Sequence, residues 1–494
     1  MRKSFPSHRM VFLACLLSAA LLTVSFPRIE LSFFIWIAIV PLLWVLEGQK
    51  PWAAFRRAWV CGFLFFAATV GWVCYVTYIG AFFLAAFLAL YFALFGIAFV
   101  YFSPLSPVPR IFVLSSVWVV LEYIRGHFLS GFGWVMLGYA QYKNLWLIQM
   151  ADITGAYGVS FLVVLVNLVI FEIWKSRNKR DCFVAALLAM TLVGLAMAYG
   201  ACVMGHEHID KTVKVGVVQP NISLEQSWDE AQRPWIIDQT IQLTQQFHDK
   251  DLDLIVWPET ALPGDMSDSP FLVHAIRDTA AAMHAPIIMG SVSHEGSSYY
   301  NSAFLIGSDG QIRGHYDKIH LVPFGEYIPL RPVLGWIGKM VGLDDFAFGR
   351  TYTVFPISGG KKFSALICFE DTLGDLERRF VMAGAQFFVN VTNDAWFKDT
   401  KASFLHLQTA VFGCVENHRA LARAANTGVS ALIDPWGRII SVAQIRGKKT
   451  FVQAVDSGEL PLLEDKSFYT KYGDFFTCLC FLCILGAVAL RKPA

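Results

Sequence analysis

Charge is what this sequence has least of. Charged residues fill 16% of its 494 positions, and 40 Lys and Arg against 38 Asp and Glu leave a formal net charge of +2. There is no basic stripe, which argues against a nucleic-acid partner. Cysteine is scarce where a secreted framework would need it. Of 10 cysteines, Cys15, Cys61, Cys74, Cys182, Cys202, Cys478, Cys480 and Cys483 fall in apolar runs, and only Cys368 and Cys414 lie in the polar part. This excludes a disulfide framework. No His, Cys, Asp or Glu cluster has metal-ligand spacing, and His206 and His208 read as solvated residues beside an apolar run, so neither a metal nor a cofactor is expected. Internal repeats and low-complexity stretches are also lacking.

What is there in excess is apolar surface. Hydrophobic residues make up 55% of the chain and the mean hydropathy is +0.50, too apolar for an ordinary soluble enzyme. A bilayer core needs about 20 apolar residues per helix. Seven candidate spans precede the polar part: Met10–Phe26, Leu31–Leu46, Trp59–Val76, Ile79–Phe102, Ile111–Ile124, Tyr157–Trp174 and Cys182–Met204. An eighth, Phe475–Leu490, follows it. The first has a basic start in Arg2 and Lys3, but no small-residue cleavage site follows, so it reads as retained rather than as a signal peptide. The expected organisation is a seven-span membrane domain over residues 1–205, a globular domain over 206–473, and a last span with a short tail over 474–494.

The basic loops give an orientation. Arg2, Lys3 and Arg9 precede the first span, and Lys50, Arg56 and Arg57 lie between the second and third. Arg110 precedes the fifth, Lys175, Arg177, Lys179 and Arg180 separate the sixth and seventh, and Arg491 and Lys492 follow the eighth. All five sets fall on one side. Both termini are then cytoplasmic and the globular domain is extracytoplasmic, which in a two-membrane bacterium means periplasmic. The stretch Gly126–Ala156, rich in Gly, Trp and Tyr, reads as an interfacial or re-entrant loop. Glu122 and Arg125, three apart at the end of the fifth span, share a helix face; a helix-end ion pair and a functional role are both open there.

The globular domain alternates strands and helices before ending in hairpins, which predicts a layered α/β domain. Strands are expected at Val213–Pro220, Asp253–Trp257, Pro286–Val292, Phe363–Cys368 and Gln386–Thr392. Tyr299–Ile306 with Ile312–Asp317, and Val429–Asp434 with Arg438–Val442, read as hairpins. Helices are expected at Gln226–His248, Pro270–His284, Thr372–Met382 and Phe404–Ala424.

Three stretches carry chemistry. Cys368 stands at a strand-to-helix turn, where a helix dipole favours thiolate. Glu259 ends an apolar strand in Trp257-Pro258-Glu259-Thr260, where partial burial would raise its pKa towards that of a general base. Lys318 and Glu326 lie eight residues apart in Tyr316–Pro329. Thiol, carboxylate base and ammonium together suffice for acyl transfer. The residues alone leave open a buried structural Cys368, a Cys368–Cys414 disulfide, and solvated surface charges.

Taken together, Tyr316–Pro329, Asn393-Asp394-Ala395-Trp396-Phe397 and Arg423-Ala424-Ala425-Asn426-Thr427-Gly428 resemble the nitrilase superfamily. With the spans around them, they resemble its apolipoprotein N-acyltransferase family over essentially the whole chain. The resemblance implies an αββα sandwich. It also implies that Glu259 is the general base, Lys318 the oxyanion-stabilising lysine and Cys368 the nucleophile. Glu326 and Glu370 match supporting glutamates, and Trp228, Phe369 and Trp396 match aromatics near the substrate. The implied reaction is a ping-pong transfer from a membrane phospholipid, through a thioester, to the α-amine of a diacylated apolipoprotein. A monomer in the lipid bilayer is expected. The segment Val333–Val341 has the composition of a membrane-dipping lid, though an ordinary packed helix fits it equally. The competing function is a membrane-anchored amidase or nitrilase acting on a small C–N substrate. Four positions depart from the family pattern. Lys398 stands where glycine is expected, Gly133 precedes Trp134 in place of proline, and Phe404-Leu405 replace more polar residues before His406.

Overall fold

The computed structural model describes residues 7–175, 179–207, 209, 211–332, 335 and 345–490. Two compact units emerge. One holds Met1–Glu207, Thr400–Gln408 and Tyr472–Ala494; the other holds His208–Asp399 and Thr409–Lys471.

The first unit is helical. Among the described residues five helices are long and apolar enough to cross a membrane: Pro51–Tyr75, Tyr78–Tyr101, Pro107–His127, Ala156–Lys175 and Lys179–Gly205. They coincide with the third to seventh expected spans. His8–Val24 and Phe475–Leu490 are shorter apolar helices. The second expected span is a broken one: a 3₁₀ turn at Ser32–Trp36 and a helix at Val40–Leu46. Pro41, in the first turn of that helix, has no N–H to continue a helix from the preceding turn. Phe82, Phe83, Leu90 and Leu94 on Tyr78–Tyr101 are exposed, as side chains facing lipid tails would be.

Buried charges organise this unit. Arg110 pairs with Glu172 at 2.9 Å and approaches Glu47 at 3.5 Å, and Lys175 pairs with Glu47 at 2.8 Å. Two of the cations that mark the loops are thus neutralised within the bundle. Glu122 and Arg125 do not serve as a simple helix-end pair. Trp118 Nε1 and the Leu137 amide both donate to Glu122 Oε1 at 2.9 Å, and Arg125 Nη1 donates to the Trp134 carbonyl at 2.6 Å. The two charges pin the returning loop, so Trp134–Gln141 are buried.

The second unit is a sandwich of two six-stranded sheets. Its strands are β1 Lys211–Gln219, β2 Leu254–Val256, β3 Ile287–Glu295, β4 Ser298–Ile306, β5 Ile312–Asp317, β6 Phe355–Pro356, β7 Lys362–Ile367, β8 Phe387–Thr392, β9 Ala420–Ala425, β10 Ala431–Ile433, β11 Ile439–Val442 and β12 Ala454–Leu462. Their orders are β12-β1-β2-β3-β4-β5 and β11-β10-β9-β8-β7-β6. In each sheet the central three strands, β1-β2-β3 and β7-β8-β9, are parallel, with antiparallel strands outside them. Helices Arg233–Thr244 and Pro270–Ala282 cover the first sheet, burying Ile237, Leu243, Leu272 and Ile276 against Ile255, Trp257, Ile287 and Met289. Helices Gly374–Ala383 and Ala402–Asn417 make the crossovers β7-β8 and β8-β9. β8 and β9 are buried at every position, as expected of parallel strands covered on both faces. Gln219 of β1 bridges the sheets by accepting from the Ser430 amide and hydroxyl.

Several sequence expectations need correction. The helix expected over Phe404–Ala424 ends at Asn417, and Ala420–Ala425 is a central strand. Its alanines favour helix intrinsically, but His418 turns the chain with φ +53° and six pairings with β8 fix the strand. The helix expected over Gln226–His248 is split: Leu224–Trp228 ends at Asp229, and Arg233–Thr244 restarts with Pro234 in its first turn. β6 and β12 had no recognised signal; Pro461 weakens the strand reading of β12, yet it pairs along its whole length with β1. Apart from Gly335, Val333–Val341 lies outside the described residues, and so does His208.

Candidate active site

Glu259 lies just past β2, Lys318 just past β5 and Cys368 just past β7, and the sandwich brings these three ends together. The Cys368 thiol stands beside the Glu259 carboxylate, near enough to lower that group's proton affinity. Lys318 Nζ lies 3.9 Å from Glu259 Oε1 and 2.9 Å from the Glu326 carboxylate. Glu326 also accepts from the Val322 amide at 2.7 Å. Lys318 is 1% exposed and Glu259 8%, so the charges act in a low-dielectric setting.

Close backbone approaches set these positions. A Cβ on Gly290 of β3 would come within 2.6 Å of Glu259 Cα, and one on Gly349 within 2.0 Å of the Asp317 carbonyl. Only glycine lets β3 and the 349 segment lie this near the two functional turns.

Burial pushes Glu259 up, and Glu326 adds to that; Lys318, Asn301 and the thiol oppose. The raised carboxyl expected at this position is present. Burial pulls Lys318 down, but Glu326 and Glu259 outweigh it and hold its ammonium charged well past neutrality. The thiolate expected at Cys368 is overturned. Burial, followed by the adjacent Glu259 charge, pushes this thiol up against the pull of Lys318. The helix expected to stabilise a thiolate starts only at Gly374, because Cys368–Thr372 forms a 3₁₀ turn first. Cys368 is therefore a neutral thiol beside a carboxylate. Neither Cys368 nor the buried Cys414 is in a disulfide, which removes that alternative.

Cys368 takes φ +53°, a left-handed conformation uncommon for a side-chain-bearing residue. Two networks hold it. Glu370 Oε1 accepts from Tyr316 Oη at 2.8 Å and from the Ile319 and His320 amides at 2.9 and 3.0 Å, while Oε2 accepts from the Ile367 amide at 2.9 Å. Glu370 thereby rivets the lysine loop to the cysteine turn. Burial pushes it up to about 7, with Lys318 and the amides pulling the other way. Below the turn, Arg423 of β9 is fully buried. It pairs with Asp371, lies 3.6 Å from Asp394, and donates to Asn390 Oδ1 at 3.0 Å. Asn390 Nδ2 in turn donates to the Cys368 carbonyl at 3.0 Å.

One residue of this cluster has no counterpart among the sequence expectations. Asn301 of β4 donates to Glu259 Oε1 at 2.8 Å and Glu326 Oε1 at 2.7 Å. Its signal was a lone amide inside the strand Ser298–Ile306, a type that strands disfavour. The expected aromatics are placed less tightly. Trp228 and Trp396 are both exposed and meet each other edge to face at 5.6 Å. The Phe369 ring lies 6.0 Å from His320. Lys398, beside Trp396, takes φ +51° and ψ −168°, a region that belongs almost exclusively to glycine. That is the residue type expected there.

The chain has close relatives among known proteins. Residues 18–169 match the model of the apolipoprotein N-acyltransferase N-terminal domain, and residues 214–462 match that of the carbon-nitrogen hydrolases. An apolipoprotein N-acyltransferase of Geobacter metallireducens is 35% identical over 98% of this chain and 96% of its own length. One of Chlorobaculum tepidum is 30% identical over 97% and 96%. Among solved structures, an amidase from Nesterenkonia sp. aligns with a TM-score of 0.39 and 16% identity, covering 54% of this chain and 95% of its own.

Proposed function

The chain belongs to the apolipoprotein N-acyltransferase family, and we propose that Glu259, Lys318 and Cys368 carry the transfer. The observation behind this is the thiol beside the buried Glu259 carboxyl, with a buried ammonium 3.9 Å from that carboxyl. In the first half-reaction the ester carbonyl of a phospholipid meets Cys368 Sγ. As sulfur attacks the carbonyl carbon, Glu259 takes the thiol proton. Negative charge develops on the carbonyl oxygen, and Lys318 stabilises it at no cost in reorganisation. The C–O bond breaks, Glu259 returns its proton to the departing alkoxide, and a lysophospholipid leaves a thioester behind. In the second half-reaction the α-amine of a diacylated apolipoprotein attacks the thioester. Glu259 accepts an amine proton, the C–S bond breaks, and the proton passes to the cysteine sulfur. The acyl chain ends as an amide.

Glu326 and Glu370 support this chemistry from outside the reacting atoms. Glu326 keeps Lys318 charged, and Glu370 ties lysine to cysteine. Trp228, Phe369 and Trp396 supply apolar surface for the substrates. Both substrates are lipids, gaining about 0.8 kcal/mol per CH₂ held in the membrane, which suits an enzyme that is itself a membrane protein. The catalytic unit lies outside the cytoplasmic membrane with both termini inside, and the enzyme works as a monomer.

The test is intact-mass spectrometry of the protein mixed with phospholipid alone, with Cys368→Ala as control. A gain of one acyl chain, released by hydroxylamine and absent in the variant, supports the thioester and the donor. Free fatty acid without an adduct would favour hydrolysis.

A further inference from the structure

Two carboxylates and one ammonium share the buried cluster at Glu259, Lys318 and Glu326. A single ammonium fully compensates one carboxylate, and its distances show which: 2.9 Å to Glu326 and 3.9 Å to Glu259. The less fully compensated partner is the proposed base, 3.9 Å from the ammonium. Burial raises the affinity of Glu259 for protons, and the nearby Glu326 charge pushes it up further. Left alone, Glu259 would hold its proton too tightly to take another from the thiol.

Asn301 answers this problem. Its amide nitrogen donates to Glu259 Oε1 at 2.8 Å and to Glu326 Oε1 at 2.7 Å, which uses both of its hydrogens. Its backbone carbonyl accepts from the Lys318 amide at 2.8 Å. One residue of β4 thus touches all three charged residues. We propose that Asn301 is a positioning residue for acyl transfer. It spaces the two carboxylates, occupies Oε1 of Glu259, and holds Glu259 in its basic form. The inference rests on Glu259 acting as the base.

The experiment follows the pH dependence of thioester formation by mass in the full-length protein, and of Cys368 alkylation by iodoacetamide, which needs no lipid. In Asn301→Ala the acid limb of both profiles should move up by about one pH unit, the worth of one charge-assisted hydrogen bond. Below the limb this appears as a roughly tenfold slower reaction. Asn301→Asp, with a third carboxylate in place of the donor, should move it further. Asn301→Ser, which keeps one hydrogen, should fall between wild type and Ala, and serves if the other variants fold poorly. Adding Glu326→Gln to Asn301→Ala removes the repulsion and should bring the limb back down. An unshifted limb with a uniform loss of rate at every pH would overturn the proposal, as would Asn301→Asp behaving like wild type. Failure of the wild type to form a thioester would instead strike the acyl-transfer reading, while the alkylation profiles still decide the part played by Asn301.

Discussion

Replacing Arg423 with Met should damage this protein more than its distance from any substrate suggests. Arg423 is fully buried in β9. Its guanidinium faces Asp371 and Asp394, donates to Asn390 Oδ1 at 3.0 Å and to the Val429 carbonyl at 3.3 Å. Methionine fills a similar volume but leaves two carboxylates buried without their cation. Removing one partner of a buried pair costs about 3–5 kcal/mol, and the second acid places this site at the upper end. For a unit of this size, about 2–4 °C is lost per kcal/mol, so thermal unfolding in detergent should fall by roughly 10 °C or more. Activity should fall as well at temperatures where the variant is folded. Arg423 orients the Asn390 amide that holds the Cys368 carbonyl at 3.0 Å, and Cys368 keeps a left-handed backbone only while its surroundings enforce it. Thioester formation by mass reads this second effect. A melting point within about 2 °C of wild type would refute the reasoning, because it would mean that the acids shed their charge at little cost. Normal acylation in the folded variant would refute the link through Asn390.

Three further outcomes follow from single positions. Gly290→Ala puts a methyl 2.6 Å from Glu259 Cα; overpacking of this kind costs about 1–3 kcal/mol, and displacing the base should slow acylation by about 100-fold, read by mass at a temperature where the variant stays folded. Glu377 is buried, and burial, with Glu416 and Asp371 beside it, holds its carboxyl well above the usual range. The native fold therefore binds this proton more tightly than the unfolded chain, so wild type loses stability as pH rises from the ordinary carboxylate value towards the folded one. Glu377→Gln should be more stable by an amount that grows with pH, up to about 1.4 kcal/mol per unit, and vanishes near about pH 4; denaturant melts across pH check it. Lys398→Gly should relieve a conformation costing about 1–3 kcal/mol, less the entropy glycine returns to the unfolded chain, and a rise of a few degrees in melting temperature is the expected result.

Much of the site is legible in the order of the residues. Glu259 and Cys368 each follow an apolar strand, and Lys318 follows the second strand of a hairpin; a chemically capable residue just past a strand is placed at the end of the sheet whatever the details of packing. The apolar runs likewise place the five long helices, because length and hydropathy are properties of the chain itself. What tertiary structure alone decided has a common cause: it depends on partners distant in sequence. Ala420–Ala425 reads as helix by composition and becomes a strand because β8 and β10 lie on either side of it. Cys368 reads as a thiolate at a helix start and becomes a neutral thiol, because Glu259 arrives from 109 residues upstream and burial excludes water. Glu122 and Arg125 read as neighbours on one helix turn, yet each spends its charge on the returning loop. Asn301 carried only the weak signal of an amide inside a strand; its meaning is two carboxylates, 42 residues before it and 25 after. The order of residues determines what each side chain can do and which elements local periodicity dictates. Proton affinity and the choice between helix and strand are settled by the charges and hydrogen-bond partners that folding brings within a few ångströms.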